Sequence, residues 1–477
     1  MKGNPVKKLL HRNFELLIYL IYFFCGLGIL WMGRSNGLFP MPGAGTDQLS
    51  MFQCAAGLTS GKFPDFPYRY SYAYTLFLTL LHGMTGGSLL GMRILQLAVC
   101  SLIPVFLYRT ARLLGLGKAA GQYGAICYLF YGPALLISLD FLRAAPLGLV
   151  FLLYFYFLLL GWRLKSKMWI AVAGAAGAIC ILGRENMAAV VLLTPFLWLL
   201  PAVRRRLNWR FLSLHAAWLA GPVLLVMTLN LIAFGSFQPV PGNAGNVMGF
   251  YHGTETVRHF GALADALVKS VPAQFMNFFS SYESPNSLSF YAHREVIAFL
   301  RVFLLPFHLL TLLALIGVWR FRKNAGVATM ALLVAAYAGS LLFFTIFYRF
   351  RIPAVPFIAL LAGAGIAALS GWWKRKEYRS VVTAAVLGGA FLWITSVNPD
   401  SQRSFGERTS VARILIDNKR FDEAERYLAE MAADGFDIRA GAVLLAQHHA
   451  ADGDPTRAQA VFNRFVRPGK PAPPAAP

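Results

Sequence analysis

The chain has 477 residues, 57% of them hydrophobic and 14% charged, with a formal net charge of +23. Water-soluble domains carry about 25% charged residues, so the shortage of charge and the repeated apolar runs exclude a soluble protein and point to an all-α, polytopic helical membrane protein. The basic excess does not signal nucleic acid. Of the 44 Lys and Arg, 21 fall in six short segments (2–12, 109–118, 163–167, 204–210, 320–323 and 374–379) in which Glu377 is the only acid; this is positive-inside patterning of cytoplasmic loops, and no nucleic-acid-binding module accompanies it.

With those segments inside, about eleven spans follow in order. The first is an uncleaved span ending near Met32, because no small-residue cleavage site follows the long apolar run. An outer segment, 34–87, carries Asp47 and a semi-apolar stretch at 70–82 that dips into the interface. The spans then fall at about 89–108, 119–137, 144–162, 168–183, 187–202 and 212–234. Tight outer turns carry Asp140 with Arg143, and Arg184 with Glu185 and Asn186. A long outer loop at 235–297 precedes spans at about 298–318, 326–346, 352–370 and 380–397. The count puts the N-terminus inside and the C-terminus outside.

The last 80 residues hold 11 of the chain's 21 acids and no span. Ala424 and Ala458 stand 34 residues apart in similar surroundings, which is the tetratricopeptide period. The expected organisation is a membrane domain at 1–397, a small helical-repeat domain at 398–467 with hairpins at about 406–434 and 438–466, and a disordered Pro/Ala-rich tail at 468–477. Two hairpins are few for a free-standing solenoid, so the repeats are expected to pack on outer loops or on a protein partner. The five cysteines form no CxxC pair and the nine histidines no ligand pattern, so no metal site or disulfide framework is expected. Nucleotide and GxSxG signatures are absent.

The chemistry must come from the outer rim. Asp47, in Gly43-Ala44-Gly45-Thr46-Asp47-Gln48 ahead of a helical pattern, is the best placed acid. A carboxylate beside a hydrocarbon boundary is costly without a task. Helix capping is the plain reading and general-base catalysis the functional one, for which the carboxylate must stay accessible. Arg143, Arg184, Arg349 and Arg351 bring guanidinium groups from three span junctions to the same side. Arginine matches phosphate through paired hydrogen bonds, though snorkelling to headgroups accounts for many boundary arginines. The spacing of Asp140 and Arg143 allows a salt bridge on one helix face, and Glu185 adjoins Arg184. Gln48, Asp140, Glu185, Asn243, Asn246, Tyr282 and Glu283 are the further candidates for substrate contact.

The order of these features resembles the GT-C membrane glycosyltransferases, in particular the bacterial relatives of protein O-mannosyltransferases and the aminoarabinose lipid A transferases. The matching segments are Asp47 with Ala55-Ala56-Gly57; 174–183 followed by Arg184-Glu185-Asn186; 242–253; and Tyr348-Arg349-Phe350-Arg351-Ile352-Pro353-Ala354-Val355-Pro356, the most specific. They cover about 15–370. The resemblance implies a multi-pass protein of the bacterial inner membrane that transfers a sugar, with inversion, from a polyprenyl-phosphate donor to an acceptor hydroxyl on a protein, glycan or lipid. Asp47 would be the base, and Arg143, Arg184, Arg349 and Arg351 the donor-phosphate ligands. No cofactor is required by that chemistry; a divalent cation is used by related oligosaccharyl enzymes and is left open here. One departure stands out: mannosyltransferases of this kind often carry adjacent acids on the first loop, and here the second position is Gln48, an amide that cannot take a proton. A transporter, or a membrane scaffold acting through its repeats, are the alternatives. The acids gather at one rim, and the spans show no two-half symmetry of the transporter kind.

Overall fold

The computed structural model describes residues 13–35, 47–62, 71–194, 209–235, 237, 260–284, 290–303, 305–342, 346–397, 411–413, 415–416 and 419–466. Every regular element among them is helical, as expected of apolar runs whose backbone must be satisfied internally in lipid. In chain order the helices are α1 (Phe14–Ser35), α2 (Asp47–Thr59), α3 (Tyr72–Thr85), α4 (Leu89–Cys100), α5 (Leu102–Leu113), α6 (Lys118–Phe130) and α7 (Gly132–Ile137). Next come α8 (Ala144–Leu164), α9 (Lys167–Gly183), α10 (Met187–Leu192), α11 (Trp209–Phe234), α12 (Phe260–Phe279) and α13 (Phe290–Val296). Then follow α14 (Phe307–Phe321), α15 (Ala325–Leu341), α16 (Tyr348–Arg351), α17 (Val355–Lys374) and α18 (Tyr378–Thr395), and finally α19 (Phe421–Ala433), α20 (Arg439–Ala451) and α21 (Pro455–Phe465).

Among the described residues, seven helical runs are long and apolar enough to cross a membrane, and α9 and α15 are apolar helices of 17 residues each. The span expected at 119–137 is broken at Tyr131, which leaves the helical region (φ −83°, ψ 85°), and Pro133 opens α7. Proline is tolerated at a helix start, where its missing N–H is not needed. The sixth expected span begins as α10, and its continuation lies outside the described residues. The interfacial stretch is α3, capped by Ser71 Oγ, which accepts the Tyr74 N–H, and closed by Gly86 at φ 60°.

The 235–297 stretch read as a loop contains the 20-residue helix α12. Asp265, Lys269, Pro272 and Gln274 interrupt its apolar positions, so no continuous run marks it in the sequence.

The chain divides into two compact units, one of 1–27, 41–284 and 303–396, the other of 28–40, 285–302 and 397–477. In the first, the α16–α17 run is the most enclosed, 83% of its apolar window being buried. Small residues allow this. A Cβ on Gly317 of α14 would overlap the Leu361 carbonyl of α17, one on Gly365 the Leu313 carbonyl, and one on Gly363 the backbone of α6 at Ala120 and Gly124. Backbones that approach so closely replace hydrophobic driving force with dispersion contact inside lipid. The windows of α11 and α18 are only 11% and 17% buried, and they expose Leu225, Ile232, Val386 and Trp393, the composition of a lipid-facing surface.

The second unit gathers α13, the 3₁₀ turn Ala298–Val302 and α19 to α21. The chain-order boundary at 397 carried no signal that 285–302 belongs with these helices. Ala424, Leu428 and Met431 pack inward with Ala442, Leu445, Ala458 and Val461. Arg457 pairs with Asp422, and Arg464 with Glu425 at 2.8 Å, joining α19 to α21. Hydrogen bonds from the Arg439 side chain and backbone hold Asp437 at about 2 against an ordinary 3.8, and Arg420 holds Glu423 below its ordinary 4.5. A carboxyl depressed in the folded state stabilises it above the unfolded pKa, and that contribution is lost as pH falls through the folded value. Amide protection factors over 419–466 in the full-length protein, which take out the intrinsic pH dependence of exchange, are therefore expected to fall between about pH 4.5 and 2. The effect is modest, because exposed pairs are screened; protection unchanged across that window would remove the contribution.

Candidate functional site

The helix α2 starts at Asp47 itself. The Asp47 side chain lies outside the described ones, but the anchoring of its helix is defined. Gln48, 5% exposed, donates from Nε2 to Asp140 Oδ2 at 3.2 Å. Asp140 Oδ1 accepts the Phe141 N–H at 2.9 Å, and the Asp140 carbonyl accepts Gln96 Nε2 at 2.6 Å. Gln96 also donates to the Ser138 carbonyl and accepts from Tyr74 Oη at 2.8 Å. The Arg93 guanidinium lies 4.6 Å from the centre of the Phe141 ring. Met51, Phe52 and Ala55 of α2 pack with Tyr74, Leu78 and Leu81 of α3, Met92 of α4 and Phe141. Buried polar groups are tolerable only when paired; here the pairing ties the first turn of α2 to the 138–143 turn and to α4. Gln48 and Asp140, expected as substrate groups, are bonded to each other. Residues 138–143 form turns and not a helix, so the helical-face argument for an Asp140–Arg143 pair does not apply.

The far side of that turn lines a cleft of about 30 Å³, bounded by Met51, Leu142, Arg143, Ala144, Arg184, Arg349 and Phe350. Met51 is one helical turn from Asp47, so the start of α2 borders the cleft. Arg184, 9% exposed, donates from Nη1 to Tyr337 Oη at 3.1 Å, and Tyr337 Oη donates to the Phe350 carbonyl at 2.8 Å. The Phe350 ring lies 4.4 Å from the Arg184 guanidinium and 5.2 Å from that of Arg349. Arg143 Nη1 donates to the Gly183 carbonyl at 3.2 Å, at the end of α9, where the helix dipole favours a cation. Burial lowers the Arg184 pKa; Arg143 and Arg349 lower it further, while Tyr337 and Glu185 oppose them. Arginine keeps its charge regardless. Three cations held around one recess, with no acid among its described walls, make a local field suited to an anion.

No family model and no curated protein matches the sequence. Among solved structures the chain is similar to the crystal structure of ArnT from Cupriavidus metallidurans bound to undecaprenyl phosphate, at a TM-score of 0.46 and 14% identity, over 96% of this chain and 81% of that one.

Arg351 stands apart from the other three arginines. It is 1% exposed, and it donates to the carbonyls of Phe278 (3.2 Å), Ser280 (2.9 Å) and Tyr282 (2.9 Å). It also pairs with the Glu283 carboxylate and lies 4.3 Å from the Phe307 ring centre. Glu283 in turn accepts from Tyr131 Oη at 3.0 Å. Burial pushes the Glu283 carboxyl up, and Arg351 and Tyr131 pull it back. Arg351, Glu283 and the Tyr282 carbonyl, all at residues expected to contact substrate or donor phosphate, are thus bonded to one another, joining the end of α12 to α16. Glu185 is half-buried beside Arg184. Asn243 and Asn246 lie outside the described residues. Among the described residues no group of three or more His, Cys, Asp or Glu side chains gathers as metal ligands do.

Sequence reading passed over Arg93, Gln96, Tyr74 and Tyr337. A signal for the first two was present: an ionisable and an amide side chain three residues apart on an apolar span share one face and must have partners inside.

Proposed function

We propose that the chain is a membrane glycosyltransferase of GT-C type, moving a sugar from a polyprenyl-phosphate donor to an acceptor hydroxyl at the membrane face opposite the basic loops. The observation that carries this reading is the cleft, where Arg143, Arg184 and Arg349 converge beside the first turn of the Asp47 helix. A recess of about 30 Å³ has room for a water or two, which the phosphate oxygens would displace as the side chains rotate. The donor's tail stays in the bilayer while its phosphate meets the guanidinium groups. Asp47 takes the acceptor's hydroxyl proton, and the oxygen attacks the anomeric carbon from the face opposite phosphate. The bond from that carbon to the phosphate oxygen breaks, and polyprenyl phosphate leaves as an anion whose growing charge the arginines stabilise. The sugar is inverted, and no step calls on a cofactor. The C-terminal helices, read as tetratricopeptide-like, are the surface assigned to acceptor or protein-partner selection.

The test uses purified protein and a labelled polyprenyl-phosphate sugar. Arg184→Gln is expected to weaken donor binding about 10–100-fold, the range for a charge-assisted hydrogen bond of 1.5–3 kcal/mol. Glu15→Gln breaks only an exposed pair with Arg109 and is expected to leave binding unchanged. Equal binding by wild type and Arg184→Gln would remove the phosphate site.

A further inference from the structure

At the end of the bundle away from the arginine cleft, α14, α17 and α18 line a second cavity, open to the surface and of about 570 Å³. The 20 residues of α17 separate the two; at 1.5 Å per residue they rise about 30 Å, the thickness of the hydrocarbon core. The cavity therefore opens at the opposite membrane surface, the one that carries the basic loops.

Its walls combine charge and aromatic surface. Arg320, Arg322 and Lys323 come from the end of α14, and Arg375 follows α17. All four are exposed. Glu377 is the one acid among the described walls, and its carboxylate accepts the Arg375 Nε–H at 2.5 Å, leaving the outer edge of that guanidinium available. Arg322 is steadied by donating to the Trp319 carbonyl at 2.8 Å. The rings of Trp319 and Trp372 lie 5.6 Å apart against the cavity, and next to its lining residues in the chain Trp373 and Tyr378 are exposed, with ring centres 6.0 Å apart. Tryptophan and tyrosine mark the headgroup level of a bilayer. Nearby on the same helices, Leu315 of α14 and Val382 and Val386 of α18 are exposed, an apolar surface continuous with the helix faces that meet lipid.

A basic loop alone needs no ligand, since positive-inside topology accounts for it. What distinguishes this one is a concave, aromatic-walled cavity with three more cations than acids, backed by an apolar surface. We propose that it binds the phosphate headgroup of an anionic membrane lipid, with the acyl chains lying along α14 and α18. The phosphate oxygens would meet Arg320, Lys323 and Arg375, as basic pockets between spans do on that face of a membrane. The proposal is independent of the transferase reading.

The experiment measures phosphatidylglycerol retained by the full-length protein, by native mass spectrometry from phosphatidylcholine bicelles with and without phosphatidylglycerol. The triple variant Arg320→Gln/Lys323→Gln/Arg375→Gln is expected to lose about 100-fold in affinity, roughly fivefold per cation. The charge-matched triple Lys118→Gln/Lys165→Gln/Lys167→Gln, on other basic loops, is expected to bind as wild type does. Arg320→Lys/Arg375→Lys, which keeps the charge, retains the lipid and shows that loss is not misfolding; single Lys323→Gln loses about fivefold. Equal loss in both triples means general attraction of the basic face and overturns the site, as does absence of selective retention by wild type. Glycerol phosphate displacing the lipid at equal concentration would make it a free-phosphate site and overturn the lipid assignment.

Discussion

Asp47→Asn is expected to lower the transfer rate by about 10²–10⁴-fold, the usual contribution of a positioned general base, while donor binding stays as in wild type. Asparagine has nearly the shape of aspartate but cannot take a proton. The helix that presents it is held independently, through Gln48 to Asp140 and through the packing of Met51 and Phe52, so the substitution leaves the scaffold in place. Single-turnover rates with labelled donor separate the two effects, because loss of an interaction made only in the transition state falls on the chemical step. Wild-type turnover in Asp47→Asn would remove the base assignment. Weakened donor binding with unchanged chemistry would move Asp47 into the phosphate site.

Glu283→Leu is expected to destabilise the membrane domain by about 3–5 kcal/mol, the cost of leaving a buried partner charge uncompensated. Arg351 would keep its three carbonyl acceptors and lose its counter-charge. The double variant Glu283→Leu/Arg351→Met removes both charges and is expected to recover most of that loss, since replacing a whole buried pair by apolar groups is often nearly neutral. Unfolding in detergent, followed through tryptophan fluorescence, reads both. If the single and double variants are equally unstable, the pair's charge balance is not what holds α12 against α16.

The fold was largely legible because the apolar runs are long and the basic loops punctuate them. The helices α8, α9, α11, α17 and α18 fall near the stretches that periodicity and charge mark out. The sequence concealed α12, whose apolar residues are broken by Asp265, Lys269 and Pro272, and the break at Tyr131, where a short kink leaves hydropathy unchanged. Residue type and rim position mark Arg143, Arg184 and Arg349 in the sequence, and the fold brings these three to one cleft. Arg349 and Arg351 sit in one short motif and look equivalent. Only the turn of α16 separates them, sending Arg351 inward to Glu283 and leaving Arg349 at the cleft. Pairings such as Gln48–Asp140 and Gln96–Tyr74 join segments tens of residues apart, and no local pattern announces them.

The most direct measurement is a cryo-EM structure of the protein in lipid nanodiscs with an unreactive phosphonate analogue of a polyprenyl-phosphate sugar. The account predicts the phosphonate within hydrogen-bond reach of Arg184 and of Arg143 or Arg349, with the Asp47 carboxylate on the opposite face of the anomeric carbon. A headgroup bound away from these arginines, or an Asp47 carboxylate turned away from the sugar with the phosphonate in place, would contradict it.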